Sequence, residues 1–133
     1  MAQFFLMGPG LILLAHGARD VRWRAPFDRL AKRIGAKQPQ LLLRLAFLEL
    51  MTPDLLTAAE ELVVEGCAAL VVVPVFLGQG GHVRDDVPKL VQAVRERCPA
   101  IQVTQSSAAG EDGRVLDALA SFCIDELMRA GKP

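Results

Sequence analysis

Residues 70–90 read LVVVPVFLGQGGHVRDDVPKL, and how this stretch folds decides how the rest of the chain must fold. Leu70 to Phe76 is an almost unbroken apolar, β-branched run, the composition of a strand covered on both faces in a parallel sheet. Gly78, Gly80 and Gly81 follow. They strip side chains from the turn and permit positive φ, so backbone can approach a ligand closely. His82 stands directly after them, and Asp85 and Asp86 are expected in the first turn of a helix from about Arg84, with Pro88 near its start. In open parallel α/β sheets ligands bind beyond the carboxyl ends of strands, and this is such an end.

The other of the two histidines repeats the setting. In LILLAHGARD, residues 11–20, an apolar run ends at His16, followed by Gly17 and a charged segment. Both histidines thus fall just past parallel-type strands. A lone histidine there is more often structural than functional, but two at equivalent positions point to a shared site for metal or proton chemistry. The segment RDVRWR, residues 19–24, sets Arg19, Arg22 and Arg24 against Asp20. It reads equally as a solvated helix entry or as a surface for a polyanionic small molecule.

Outward from these loops, β and α patterns alternate. Gly10 to Ala15 is the first strand; residues 24–36 place Phe27, Leu30, Ala31 and Ile34 at helical spacing, with Gly35 at the expected end. Leu41 to Glu49 reads as a second strand with Glu49 at the same edge as the histidines. Thr52, Pro53 and Asp54 resemble a helix cap with proline at the first position, before a helix carrying Leu55, Leu56, Ala59, Leu62 and Val63 and closed by Gly66. The helix after His82 turns Leu90, Val91 and Val94 inward. Ala100 to Gln105 is a short fourth strand, and residues 114–129 form a last helix with Leu116, Leu119, Ala120, Cys123, Ile124 and Leu127 on one face. Strict alternation implies an α/β fold: a doubly wound, four-stranded parallel sheet with helices on both faces. All 133 residues fit one domain with a core of about 10–129, residues 1–9 being an extension in which Met7 is an alternative start.

Composition narrows the function. Formal net charge is zero, which gives no electrostatic case for nucleic acid or a membrane surface. No apolar span approaches 20 residues, and the amino terminus lacks the basic region of a signal peptide. Cys67, Cys98 and Cys123 are odd in number and have no CxxC spacing, so a reduced, cytoplasmic protein without a zinc site or disulfide framework is expected. GQGGHV lacks the third glycine of a dinucleotide fingerprint and follows the third strand, and no phosphate-binding P-loop is present. Ser106 and Ser107 lack a nucleophile elbow, leaving hydrolysis a weak third choice. His16, His82 and Glu49 remain as a two-histidine, one-carboxylate set suited to a divalent first-row metal, unless Glu49 is a plain strand-end carboxylate.

HGARD at 16–20, FLEL at 47–50 and VVVPVFLGQGGHVRDDVP at 71–88 resemble the small CbiX-type chelatases of the cobalamin and sirohaem pathways, the likeness running from about residue 11 to 128. The resemblance implies a chelatase-like fold and insertion of Co2+, or in relatives Ni2+ or Fe2+, into sirohydrochlorin or a related tetrapyrrole. The metal is substrate, and no organic cofactor is implied. It further implies that His16 and His82 bind the metal and act in catalysis, with Glu49 as the strand-end glutamate. Ala18 stands where the family usually has serine. A carboxylate-rich macrocycle gives Arg19, Arg22, Arg24 and Arg84 a substrate-binding role, and Gly80 and Gly81 let the ring lie near backbone. A wide ring needs a second covering surface, and short members of the family are thought to pair symmetrically, so a homodimer is expected. The alternative is a metal or tetrapyrrole carrier without turnover.

Overall fold

The computed structural model describes residues 8–132. Met7 and most of the expected extension lie outside the described residues. The order is β1 (Gly10–Ala15), a 3-10 turn (Val21–Arg24), α1 (Ala25–Lys37), β2 (Leu42–Phe47), α2 (Leu55–Val64), β3 (Ala69–Pro74), α3 (Gly81–Arg97), β4 (Gln102–Gln105), a second 3-10 turn (Ala109–Glu111) and α4 (Gly113–Ala130). All strands are parallel in one four-stranded sheet of order β2-β1-β3-β4, with Leu14 opposite Ala46 on one side and Pro74 on the other. The fold is α/β, as the alternation requires. Because β1 lies between β2 and β3, the winding reverses between β1 and β3, and that reversal opens a crevice at their carboxyl ends.

Side chains alternate across the sheet and divide the core in two. Ile12, Leu14, Leu70, Val72 and Val103 face Leu55, Ala59 and Leu62 of α2 and Val87, Val91 and Val94 of α3. On the opposite face Leu13, Ala15, Leu45 and Phe47 lie under Phe27, Leu30, Ala31 and Ile34 of α1. Asp54 caps α2 by accepting from the Thr57 amide at 2.8 Å, and that backbone hydrogen bond holds its carboxyl below the ordinary aspartate value. At α4 the Arg114 side chain and amide bind the capping Asp112 and lower its pKa to about 2.

Several local expectations give way. Gly35 lies inside α1, which continues to Lys37. Pro53 precedes α2, whose N-cap is Asp54. Extended Gly80 caps α3, so the helix starts at Gly81, three residues before the expected Arg84. His82 is therefore in its first turn, Asp85 and Asp86 lie beyond that turn, and Pro88 is inside the helix on its exposed side. Leu90 faces outward, while Val87 takes the inward place beside Val91 and Val94. β3 is covered on one face only, since Val71 is 38% exposed. The largest departure is α4, in which no residue is buried: periodicity finds the helix but cannot say what covers it.

Candidate functional site

His16 is the first residue after β1, and His82 opens α3 after β3. These are the two central strands on either side of the winding reversal, so the fold brings both histidines to the crevice where such sheets bind ligands. Glu49 follows β2 at the same edge.

Backbone hydrogen bonds carry the sheet past its strands into these loops. The Leu48 amide donates to the Ala15 carbonyl at 2.9 Å, the Glu49 amide to the His16 carbonyl at 3.1 Å, and the Val75 amide to the Leu14 carbonyl at 2.9 Å. His16 and Glu49 are thus joined through their main chains. Gly17 has φ +97°, and a Cβ there would lie 1.8 Å from the Glu49 carbonyl oxygen, so only glycine permits the approach. Leu50, one residue past Glu49, also has a positive φ of 65°, an uncommon conformation for a branched side chain. The His16 ring lies against Phe76, centroids 4.2 Å apart and planes tilted by 35°.

The loop carrying His82 is built differently. The His82 side chain is 90% exposed, and its Nε2 lies 3.0 Å from Asp86 Oδ2, one helical turn on. A carboxylate on one ring nitrogen orients imidazole and leaves the other nitrogen for an ion. Gly78, Gly80 and Gly81 have no atom within 4 Å of an added Cβ, and none has positive φ. The positive φ that glycine permits is therefore not used at these three positions, and only the other expected effect, the stripping of side chains from the turn, applies. What they leave is open space above the strand ends.

Among the described residues no three histidine, cysteine, aspartate or glutamate side chains converge on a common metal position. His16, Glu49 and His82 share an edge without closing into a three-ligand centre, and Glu49 is exposed. Such an open set suits transient contact with an ion more than storage. The expected basic mouth is mostly paired. Arg22 binds Asp20 at 2.7 Å, raising the arginine and lowering the carboxyl, while Arg24 binds Asp28 at 3.2 Å and lies 5.1 Å over the Phe47 ring. Arg84 lies 3.8 Å from Glu111, and Arg19 has no carboxylate partner among the described residues. Exposed pairs of this kind are weak and screened by water and salt, so they do not lock the arginines in place. Cys67 and Cys98 are buried and unpaired, and burial pushes both thiols up, which keeps them out of thiolate chemistry.

Phe76 and Asp86 contact the two histidines, although sequence reasoning gave neither a role there. The signal for Asp86 was its i,i+4 spacing from His82; Phe76 was concealed as the last apolar residue of a strand-like run.

The sequence model of the CbiX family matches residues 10–125. The chain belongs to the CbiX family. A solved CbiX protein from Marinobacter aquaeolei VT8 superposes with a TM-score of 0.80 at 30% identity, covering 90% of this chain and 98% of that one. Among curated relatives, a sirohydrochlorin ferrochelatase of Priestia megaterium is 33% identical over 73 residues, 55% of this chain but only 27% of the relative. A sirohydrochlorin cobaltochelatase of Sulfolobus acidocaldarius is 28% identical over 110 residues, 83% of this chain and 85% of its own length. The match thus spans under a third of the Priestia relative and most of the archaeal one. The family's matched span includes both histidine loops and Glu49.

Proposed function

We propose that this protein is a tetrapyrrole metal chelatase that inserts Co2+ into sirohydrochlorin. The observation that carries the reading is the placement of its only two histidines at the ends of the adjacent strands β1 and β3, in a chain of the CbiX family. The names of the curated relatives, one cobalt and one iron chelatase, support the substrate class.

Insertion requires an ion to lose water, two pyrrole protons to leave, and a wide flat ring to be held while both happen. Neutral imidazole serves the first two needs, as ligand and as proton acceptor. His16, held against Phe76 and pinned by the β1–β2 backbone bonds, is the fixed member of the pair. His82, oriented by Asp86 on an exposed turn, is the member that meets the ion. Glu49 is a second carboxylate base at the same edge. Arg19, Arg22, Arg24 and Arg84 take the carboxylates of the ring, helped by the positive end of α3. Gly80 and Gly81 keep the space above the strand ends clear for it. In this reading the protein works as a homodimer in the reducing cytoplasm, a second copy covering the outer face of the ring. No described helix is long and apolar enough to cross a membrane.

The test incubates purified protein with sirohydrochlorin and Co2+, Ni2+ or Fe2+ in parallel and follows the absorbance change of metal insertion. Turnover beyond one equivalent, fastest with Co2+, is expected. Stoichiometric uptake of metal without insertion makes the protein a carrier and removes the chelatase reading.

A further inference from the structure

The chain turns back on itself across a single residue just after Glu49. The Met51 amide donates to the Glu49 carbonyl at 2.8 Å, and Leu50 between them has φ 65°, which is the rare, strained form of the γ-turn. Glycine or asparagine would occupy that conformation at little cost; a branched side chain does so only under strain. Packing does not account for the leucine. Leu48 joins the core under α2 and α3 and Met51 joins the core under α1, whereas Leu50 belongs to neither and leaves 58% of its surface open. A single exposed leucine is ordinary on a protein surface, but one held in a strained turn is not. The turn is also fixed in place. The Glu49 amide is bonded to the His16 carbonyl, and Gly17 sits against the Glu49 carbonyl oxygen, so Leu50 is carried at a set position beside the His16 loop.

We propose that Leu50 is a substrate-contact residue, an apolar post against which the flat face of the macrocycle rests. The inference deepens the chelatase reading and rests on it. Arginines at this edge can meet carboxylates on the rim of the ring, but the face of the ring offers them no carboxylate. An alkyl group covers such a face by excluding water from both. Because the turn is set before the ligand arrives, little backbone freedom is lost when the ring settles on it. The same turn ties the contact to Glu49 and His16, so a ring resting on Leu50 is registered against the groups that act at its centre.

Three variants separate this contact from packing and from general surface effects. Leu50→Asn removes the apolar group and accepts positive φ, and Leu50→Met keeps an apolar group in the same turn. Val64→Asn removes an exposed apolar side chain at the far end of α2. Affinity for metal-free sirohydrochlorin is measured by absorbance titration, kcat and KM by Co2+ insertion, stability by thermal melts and mass by light scattering. Leu50→Asn is expected to bind about tenfold more weakly, with KM raised to match, kcat within about threefold of wild type and a melting temperature no lower. Leu50→Met and Val64→Asn should bind within about twofold of wild type. Equal affinities of wild type and Leu50→Asn overturn the inference and leave the chelatase reading standing. Wild type that binds sirohydrochlorin without turnover removes that reading, while the tenfold difference in affinity still supports the contact. A Leu50→Asn protein that melts several degrees below wild type, or has a different mass, assigns the leucine to packing or to a subunit contact and overturns the inference. So does a Leu50→Met protein as weak as Leu50→Asn, since the effect then belongs to the turn itself. Wild type without affinity for sirohydrochlorin overturns both.

Discussion

The two histidine loops occupy equivalent places in the fold and are built in opposite ways. After β1, His16 is half-buried against Phe76, its main chain is bonded to Glu49, and Gly17 is wedged against the next loop. After β3, His82 is exposed in a helical turn, and a Cβ added at the glycines around its start would meet nothing within 4 Å. In the proposed reading, the fixed imidazole and the open one divide the work of receiving an ion and passing it to a ring admitted between them.

The comparison can be broken at its glycines. Gly17→Ala puts a methyl group 1.8 Å from a carbonyl oxygen at φ +97°, and no flexible side chain is there to yield. We expect a loss above about 3 kcal/mol, a fall in Tm of roughly 10 °C or more, or failure to fold. Gly81→Ala meets open space and should stay within about 0.5 kcal/mol of wild type. Equal thermal melts for the two would erase the contrast.

A smaller effect tests the frame behind the first loop. Asp54 caps the helix that follows the Glu49 turn, and Asp54→Ala should cost about 1 kcal/mol at pH 7 by denaturant titration. The folded carboxyl is held below its ordinary value, so its stabilisation is present above the unfolded pKa of about 4 and is lost as pH falls through the folded value. The gap between wild type and variant should therefore narrow as pH falls below the ordinary aspartate value. A gap independent of pH would assign the stabilisation to something other than the charged cap.

A stability difference of about half a kcal/mol or more, near the smallest that thermal melts resolve, sharpens the comparison of the histidines themselves. His16→Ala loses a ring contact with Phe76 and should cost about 1 kcal/mol, whereas His82→Ala should cost less than about 0.5. The reverse order in thermal melts would make His82 the anchored partner.

The sheet was legible because its strands announce themselves: Gly10 to Ala15 is a short apolar run and the run from Leu70 is apolar and β-branched, each followed by turn residues, and the alternation with helices points to a parallel sheet. The shared edge of His16, His82 and Glu49 followed from each standing at the end of its run. Other features depend on partners distant in sequence. Nothing near Gly17 says that the Glu49 carbonyl will approach it, and nothing in the spacing of Leu116, Leu119 and Leu127 says that their face will find no core. The start of α3 was misplaced because Gly81 and His82 are weak helix formers, while the sheet edge and extended Gly80 launch the helix there. The arginines looked like a basic mouth because Asp28, four residues after Arg24, was not counted against them.

Metal insertion by wild-type protein, His16→Ala and His82→Ala, measured side by side, tests the central claim most directly. Each variant is first shown to be folded by its melt, then given sirohydrochlorin and Co2+. The account predicts multiple turnovers for wild type and a loss of at least 100-fold for both variants, because each imidazole contributes a role the other cannot supply. Wild-type rates in either folded variant would contradict it, and would move the chemistry away from the crevice between β1 and β3.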